Sequence, residues 1–295
     1  MRPRPELYEY DSARAGRGGG AALSRGFRGR AGVKMGMANA TKVKRVVVTV
    51  PTWNEALNIE LLIDALLALN TPKTSTSKIQ YNVLVADDHS PDGTWQIVAN
   101  RAERDERVYL LHRTTDKGRG RAGRDAFVKS MQLDPEPDVI VEMDADFSHP
   151  PRSIPAMIAK IEEGNDLVLG SRGVEGGKDL GRPLPRRMIT KLANLYIRLI
   201  LGLSVKDCNS GFRAWRTSAL KAVEVQNTFS QGPAIVQELL FKARQKRLAI
   251  CEVPIDFVER ERGESSLTFG KLMQGYMMVL RLRWWAMTGR LWKLR

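Results

Sequence analysis

The sequence predicts an α/β protein built on an open, mostly parallel sheet, and three observations carry that expectation. Short β-branched runs alternate with amphipathic stretches from residue 43 to residue 172. The runs are apolar throughout, as in strands covered on both faces, rather than apolar at every second position. Each of four runs then ends in a polar cluster: PTWNE, DDHSPDGT, DADFSHPP and GSR. Ligands of open α/β sheets bind beyond the carboxyl ends of the strands, so these clusters predict one crevice at one sheet edge.

The elements follow in order. VKRVVVTVP reads as a strand closed by Pro51, and NEALNIELLIDALLAL places Leu57, Leu61, Leu62, Ala65, Leu66 and Leu69 on one helical stripe. YNVLVADDHSPDGT is a second strand running into a turn. There, one of Asp87 and Asp88 is expected to cap or shape the turn and the other to face a ligand. Helix TWQIVANRAERD, strand RVYLLHR, a helix near 121–133 and strand DVIVEMDAD come next, and a helix at 152–163 with strand DLVLGSR completes the alternation.

Composition narrows the functional classes. With 295 residues, 43% hydrophobic and 27% charged, the chain supports one main domain with appendages. Its net charge of +14 favours a polyanionic partner: nucleic acid, an anionic membrane surface or phosphate-bearing substrates. Residues 1–45 carry eleven Lys/Arg against Glu6, Glu9 and Asp11, a net +8, so over half the excess lies in the tail. Residues 1–42 are Gly/Arg-rich without an apolar period and are expected to form a disordered basic tail without a specific function. Folding signals begin at Val43, which makes Met35 or Met37 an expected alternative start. No nucleic-acid recognition motif follows in the remaining chain, so nucleic acid is not an expected partner. Cys208 and Cys251, the only cysteines, form no CxxC, which fits a reducing compartment and excludes a disulfide framework or zinc site. No stretch of 18 apolar residues and no secretory h-region is present, so neither a spanning helix nor a signal peptide is expected.

The chemistry centres on Asp144 and Asp146. Carboxylates at i and i+2 of an extended segment point the same way, and where the strand frays both reach one cation. Hard oxygen ligands suit Mg²⁺ or Mn²⁺, which keeps waters and takes further ligands from phosphates, so the pair reads as a diphosphate handle. His149, beside Pro150 and Pro151, is expected to pack or turn the chain rather than ligate.

In this order, VPTWNEALNI, VADDHSPDGT, RTTDKGRGRAG, EMDADFSHPP, LGSRGVEGG, DCNSGFRAWR and ERERGESSL resemble the inverting family-2 glycosyltransferases, most closely the dolichyl- or polyprenyl-phosphate mannosyltransferases. The resemblance spans about residues 43–270 and implies a nucleotide-sugar-binding domain of the GT-A type, divided as tail 1–42, catalytic domain 43–268 and C-terminal segment 269–295. It implies GDP-mannose as donor and a polyprenyl phosphate as acceptor, or, as the alternative within the class, a polyprenyl-phosphate glucosyltransferase using another nucleotide sugar. Pro51, Trp53, Glu55 and Asp87 are the implied nucleoside contacts, with Trp53 standing where many relatives have a stacking tyrosine. Asp144, Ala145 and Asp146 are the implied donor diphosphate and metal site. Ser148 occupies a position often held by glutamine and is expected to reach the metal through a water. Arg262 and Gly263 match a segment that closes over the donor diphosphate, which makes Arg262 catalytic together with Asp144 and Asp146; Ser266 replaces a lysine there, and Lys271 is a candidate to compensate. Arg172, Arg186 and Thr190 are the implied acceptor-phosphate contacts, with Arg187 next to Arg186 leaving open which points inward. DCNSGFRAWR is expected to support the acceptor wall through Gly211 and Phe212, with Asp207 orienting a neighbouring arginine and Cys208 filling space.

A membrane surface is the remaining expected partner. After Glu264 the chain has no acid, while Lys271, Arg281, Arg283, Arg290, Lys293 and Arg295 interleave with Trp284, Trp285 and Trp292. Such a segment suits a helix lying in an anionic interface, with 187–203 as a second contact, and the protein is then peripheral on the cytoplasmic side. Docking on a small membrane partner subunit is the alternative use of the same segment.

Overall fold

The computed structural model describes residues 8–9, 42–70, 79–259 and 269–292. Its elements in chain order are β1 (Tyr8–Glu9), β2 (Arg45–Thr52), α1 (Ile59–Leu67), β3 (Gln80–Asp87), α2 (Thr94–Ala102), β4 (Val108–His112), α3 (Arg119–Ser130), β5 (Val139–Glu142), α4 (Ile154–Glu162), β6 (Leu167–Ser171), β7 (Lys178–Leu180), α5 (Leu184–Leu201), β8 (Arg213–Arg216), α6 (Thr217–Ala222), α7 (Ile235–Gln245), β9 (Ile250–Pro254), β10 (Asp256–Val258) and α8 (Phe269–Met287). The main sheet has the order β1-β4-β3-β2-β5-β8-β6-β9. All neighbours are parallel except β8, which runs antiparallel to both β5 and β6. A small sheet pairs β7 with β10. The expected open, mostly parallel α/β sheet is therefore present, with one reversed strand.

Burial explains why the strands read as continuous apolar runs. Val46, Val48 and Val50 of β2 pack with Ile59, Leu62 and Ile158 of the helices on one face, whereas Val47 packs with Leu84, Leu111 and Ala126 on the other. A further core on that side joins Phe127, Ile197, Leu239 and Leu282 beneath Trp215. The α1 stripe differs from the expected one. Ile59, Leu62, Ile63, Leu66 and Leu67 are buried, while Leu57 and Leu61 face solvent. The helix begins only at Ile59, and positions i, i+3, i+4, i+7 and i+8 counted from there form the inward face. The α3 helix likewise begins at Arg119, two residues before the expected start.

Two pieces flank this frame. Tyr8–Glu9 pair in parallel with Leu111–His112 at one sheet edge; the rest of the tail lies outside the described residues. At the other end α5 packs on α8, with the Tyr196 hydroxyl donating to the Tyr276 carbonyl at 3.2 Å and the two rings 5.2 Å apart edge to face.

Candidate active site

The loops after β2 and β3 are tied to each other. Asp87 is buried, and its carboxylate accepts from Thr52 Oγ1 at 2.9 Å, the Ser90 N–H at 2.8 Å and Ser90 Oγ at 2.6 Å. Ser90 Oγ in turn accepts from the Asn54 N–H at 3.0 Å. Asp87, expected at the nucleoside, ties the ends of β2 and β3 together. Asp88 is also engaged, by Arg113 and by the Gly118 N–H at 2.6 Å, and burial pushes its carboxyl above the ordinary value despite these donors. Neither aspartate caps α2. The residue ahead of that helix is Gly93 at φ 90°, and Asp92 accepts from the Thr94 and Ala56 N–H groups, both at 3.0 Å.

These knots hold strained backbone. Asn54, His89, Asp116 and Phe147 have φ between 53° and 61°, and each lies in the loop after a different strand, β2, β3, β4 and β5. Left-handed backbone at non-glycine residues costs about 1–3 kcal/mol each and clusters where a surrounding structure fixes a binding surface. Trp53 lies among them, 51% exposed, with Lys117 Nζ 5.3 Å from its ring centre. An indole this open is not a core residue. Pro51, two residues before it in β2, is buried. Glu55, two residues after Trp53, accepts from Asn58 Nδ2 at 2.8 Å. Trp53→Ala is expected to raise the KM for a nucleotide donor by about tenfold, the stacking contribution of an aromatic face, while Trp53→Phe stays near wild type. A donor titration of both variants checks this, and a fall in melting temperature for Trp53→Ala would instead mark a core role.

The loop after β5 carries the paired carboxylates. Asp144 and Asp146 are part-exposed on either side of buried Ala145. Asp144 Oδ1 accepts from Arg119 Nη2 at 3.0 Å, and the other arm of Arg119 donates to buried Glu142 at 2.7 Å. Burial alone would weaken the Arg119 proton, but Glu142 and Asp144 together hold it more tightly than usual. Gly123 leaves the room for this clasp: a Cβ there would sit 2.8 Å from Glu142 Oε1 and 3.2 Å from Arg119 Nη1. Asp146 Oδ1 accepts from the Ser148 N–H at 3.1 Å and from Ser148 Oγ at 2.6 Å. Ser148, expected to reach the metal through a water, is buried and donates to Asp146. His149 Nδ1 accepts the Asp144 N–H at 3.0 Å, the ring stacks on Phe212 at 5.1 Å, and burial lowers its proton affinity. It packs and shapes the turn, as its prolines imply.

These residues fit a hard divalent cation. Asp144 and Asp146 are part-exposed one residue apart, and no group of three or more His, Cys, Asp or Glu able to hold a metal occurs among the described residues. Held by these two carboxylates, such an ion would take its remaining ligands from water and phosphate oxygens, as Mg²⁺ sites commonly arrange it.

The opposite side is built from arginines. Arg172, just past β6, donates to Asp207 from Nε at 2.7 Å and from Nη2 at 2.9 Å, and it lies over the Phe257 ring at 4.7 Å. Asp207 thus orients Arg172, as expected. Arg186 pairs with Glu259, while Thr190 Oγ1 accepts from Arg182 Nη2 at 2.7 Å and donates to the Arg186 carbonyl at 3.0 Å. Arg182 was not singled out from the sequence. It pairs with Asp179 at 3.1 Å and approaches the same Phe257 ring at 5.8 Å, so two arginines share that ring. Arg262, Gly263 and Ser266 lie outside the described residues, as does the side chain of Lys271.

A pair of carboxylates after β5 and guanidinium groups after β6 thus lie at the carboxyl ends of strands in a mostly parallel sheet, the edge at which α/β enzymes bind their ligands. The chain belongs to glycosyl transferase family 2, whose pattern matches residues 47–224. It is 38% identical to the undecaprenyl-phosphate mannosyltransferase of Micrococcus luteus, over 84% of this chain and 99% of that one. It is 33% identical to the polyprenol monophosphomannose synthase of Mycolicibacterium smegmatis, over 88% and 93%. Among solved structures it resembles glucosyl-3-phosphoglycerate synthase from Mycobacterium tuberculosis, crystallised with Mn²⁺, UDP and phosphoglyceric acid. There the TM-score is 0.57 at 20% identity, over 84% of this chain and 79% of that one, a likeness of fold.

Proposed function

We propose that the chain transfers mannose from GDP-mannose to a polyprenyl phosphate with inversion, giving GDP and a β-linked mannosyl phosphate lipid, with Mg²⁺ or Mn²⁺ held by Asp144 and Asp146. The observation that carries this reading is one loop joining the two sides of the site. Asp207 grips Arg172 at its start, and Gly211 at its end lies against Arg119 and Asp144, a Cβ there falling 3.2 Å from Arg119 Nη2 and 3.9 Å from Asp144 Oδ2. The relatives named for polyprenyl-phosphate mannosylation support the choice of substrates.

A bound divalent cation supplies positive charge that offsets the departing diphosphate. The rest is done by the chain itself. Arg172, preset by Asp207, offers a planar fork to the acceptor phosphate, with Arg186 and Thr190 beside it. A phosphate monoester has a second pKa of about 6, so its oxygen is already an anionic nucleophile at neutral pH and needs no general base. That agrees with His149 being locked in a backbone hydrogen bond. Trp53 stacks the guanine, and Arg262 is assigned to the donor diphosphate.

The lipid tail needs an interface. Among the described residues no helix is long and apolar enough to cross a membrane. Yet Leu184, Met188, Ile189, Leu192, Leu195 and Leu199 of α5 are all exposed along one side, and α8 exposes Met277, Leu280, Trp284 and Met287. These stripes suit peripheral binding at the cytoplasmic face of a bilayer. Leu192→Asp/Leu195→Asp is expected to weaken association with anionic vesicles by about tenfold or more, given roughly 1.5 kcal/mol or more per buried leucine, while transfer to a short soluble acceptor persists. Vesicle sedimentation checks this, and unchanged binding would hand those stripes to a partner subunit.

The function itself is tested by transfer of labelled sugar from GDP-mannose, GDP-glucose and UDP-glucose to a short polyprenyl phosphate in detergent, with the product's anomeric configuration read by NMR. A β-mannosyl lipid from GDP-mannose is the expected result. Product from UDP-glucose alone would move the protein to glucosyl transfer.

A further inference from the structure

The loop at 207–211 carries more than its two ends. Asn209, midway along it, donates from Nδ2 to Asn194 Oδ1 of α5 at 2.7 Å and accepts from Gln237 Nε2 of α7 at 2.7 Å. Asn194 Nδ2 in turn donates to Asp207 Oδ1 at 3.4 Å. Ionised Asp207 can only accept, and this fixes the sense of the whole row. Every amide N–H in it points toward Asp207, and every amide oxygen points away. Gln237 Oε1, at the far end, is buried without a hydrogen-bond partner.

The place of this row follows from the reaction. The transferred sugar hangs from the donor diphosphate at Asp144 and Asp146 and receives the acceptor oxygen from the side of Arg172. It must lie between those groups, where the 207–211 loop runs. Asn194 and Asn209 are part-exposed. Beyond the bonds above, an amide keeps a second N–H and a second lone pair, a donor and acceptor set that matches neighbouring sugar hydroxyls. A buried polar atom with no partner is uncommon, and the inner end of a polarised row is where a hydroxyl or a water carried with the sugar can supply one.

We propose that Asn194, Asn209 and Gln237 read the hydroxyls of the transferred sugar and are the sugar-specificity determinants of the site. This inference rests on the glycosyl-transfer reading above and deepens it. A purely structural role, tying α5, the loop and α7 together, makes a different prediction.

The test compares the full-length protein with its Asn209→Ala and isosteric Asn209→Asp variants, using GDP-mannose, GDP-glucose and singly deoxygenated GDP-mannose donors. In the wild type, removing the hydroxyl that is read should lower kcat/KM by about tenfold, the worth of roughly one good hydrogen bond. In both variants that same deoxygenation should cost less than about threefold, with GDP affinity by calorimetry held within about twofold. Variants that slow every sugar by one common factor and keep the full wild-type penalty would overturn the assignment, as would a loss of GDP affinity equal to the loss in rate. Asn209→Asp keeps size and shape, so it carries the comparison if Asn209→Ala melts early. Wild-type activity with UDP-glucose alone would refute mannosyl transfer without touching this inference, which is then read with deoxygenated UDP-glucose. No transfer from any nucleotide sugar would overturn both.

Discussion

Asp146→Asn should lower transfer by about 10³-fold, the loss of roughly 4 kcal/mol of charge stabilisation in the transition state, with the fold intact. The substitution is selective for a physical reason. Asparagine keeps Oδ1, so the Ser148 N–H and hydroxyl retain the acceptor they use at 3.1 and 2.6 Å, and the loop keeps its shape. Only the negative charge is removed, from a part-exposed side chain whose absence leaves no void. Steady-state transfer and a thermal melt measured side by side check both halves. Wild-type rates in this variant would remove the carboxylate pair from the active site, and a large fall in melting temperature would make Asp146 structural.

Arg172→Ala should act on both stability and catalysis. Asp207 is 1% exposed and Arg172 13%, so truncating the arginine strands a buried carboxylate. Breaking a buried pair from one side costs about 3–5 kcal/mol, a fall of roughly 10 °C in Tm for a domain of this size. The double variant Arg172→Ala/Asp207→Asn should recover much of that stability and none of the acceptor affinity, which separates the two roles. The pH dependence follows from Asp207. Burial by itself would raise its carboxyl pKa, but hydrogen bonds and charge from Arg172 hold it below the ordinary value. A carboxyl depressed in the folded state contributes stability that is complete above its unfolded pKa of about 3.9 and lost as pH falls through the folded one. In Arg172→Ala the same burial acts without the guanidinium and raises that carboxyl, so the stability gap between wild type and variant is fullest at neutral pH and above and narrows as pH falls through the variant's raised pKa and then through the depressed wild-type one. A gap that stayed constant from neutral pH down into acid would point to another group.

Much of the frame was legible because its causes are local. Apolar runs that end in Asp, Ser and Gly clusters mark strands whose carboxyl ends converge, and β2, β3, β5 and β6 appear where those runs lie. Asp144 and Asp146 were readable for the same reason. What escaped depends on distant pairing. Nothing near Arg119 announces that its guanidinium bridges Glu142 and Asp144, 23 and 25 residues away; the only signal is the GRG after β4, with Gly123 clearing the space. Arg182 gains its place through Phe257 of β10, a strand with no alternation to betray it. At Asp87 the sequence gives no sign that Thr52 and Ser90 close over the carboxylate, because those bonds join the ends of two different strands. The amide row spans α5, a loop and α7, so no spacing rule could assemble it.

The central claim is that the β5 carboxylates and the β6 arginines serve one reaction at one place. Phosphorus-31 relaxation of a short polyprenyl phosphate, recorded with the protein, GDP and Mn²⁺, tests it most directly, because paramagnetic enhancement falls so steeply with distance. Strong broadening of the acceptor signal that disappears in Asp146→Asn and in the folded Arg172→Ala/Asp207→Asn variant is the predicted result. An acceptor that binds the Mn²⁺-loaded wild type yet keeps a sharp phosphorus signal would place metal and acceptor apart, and contradict the account.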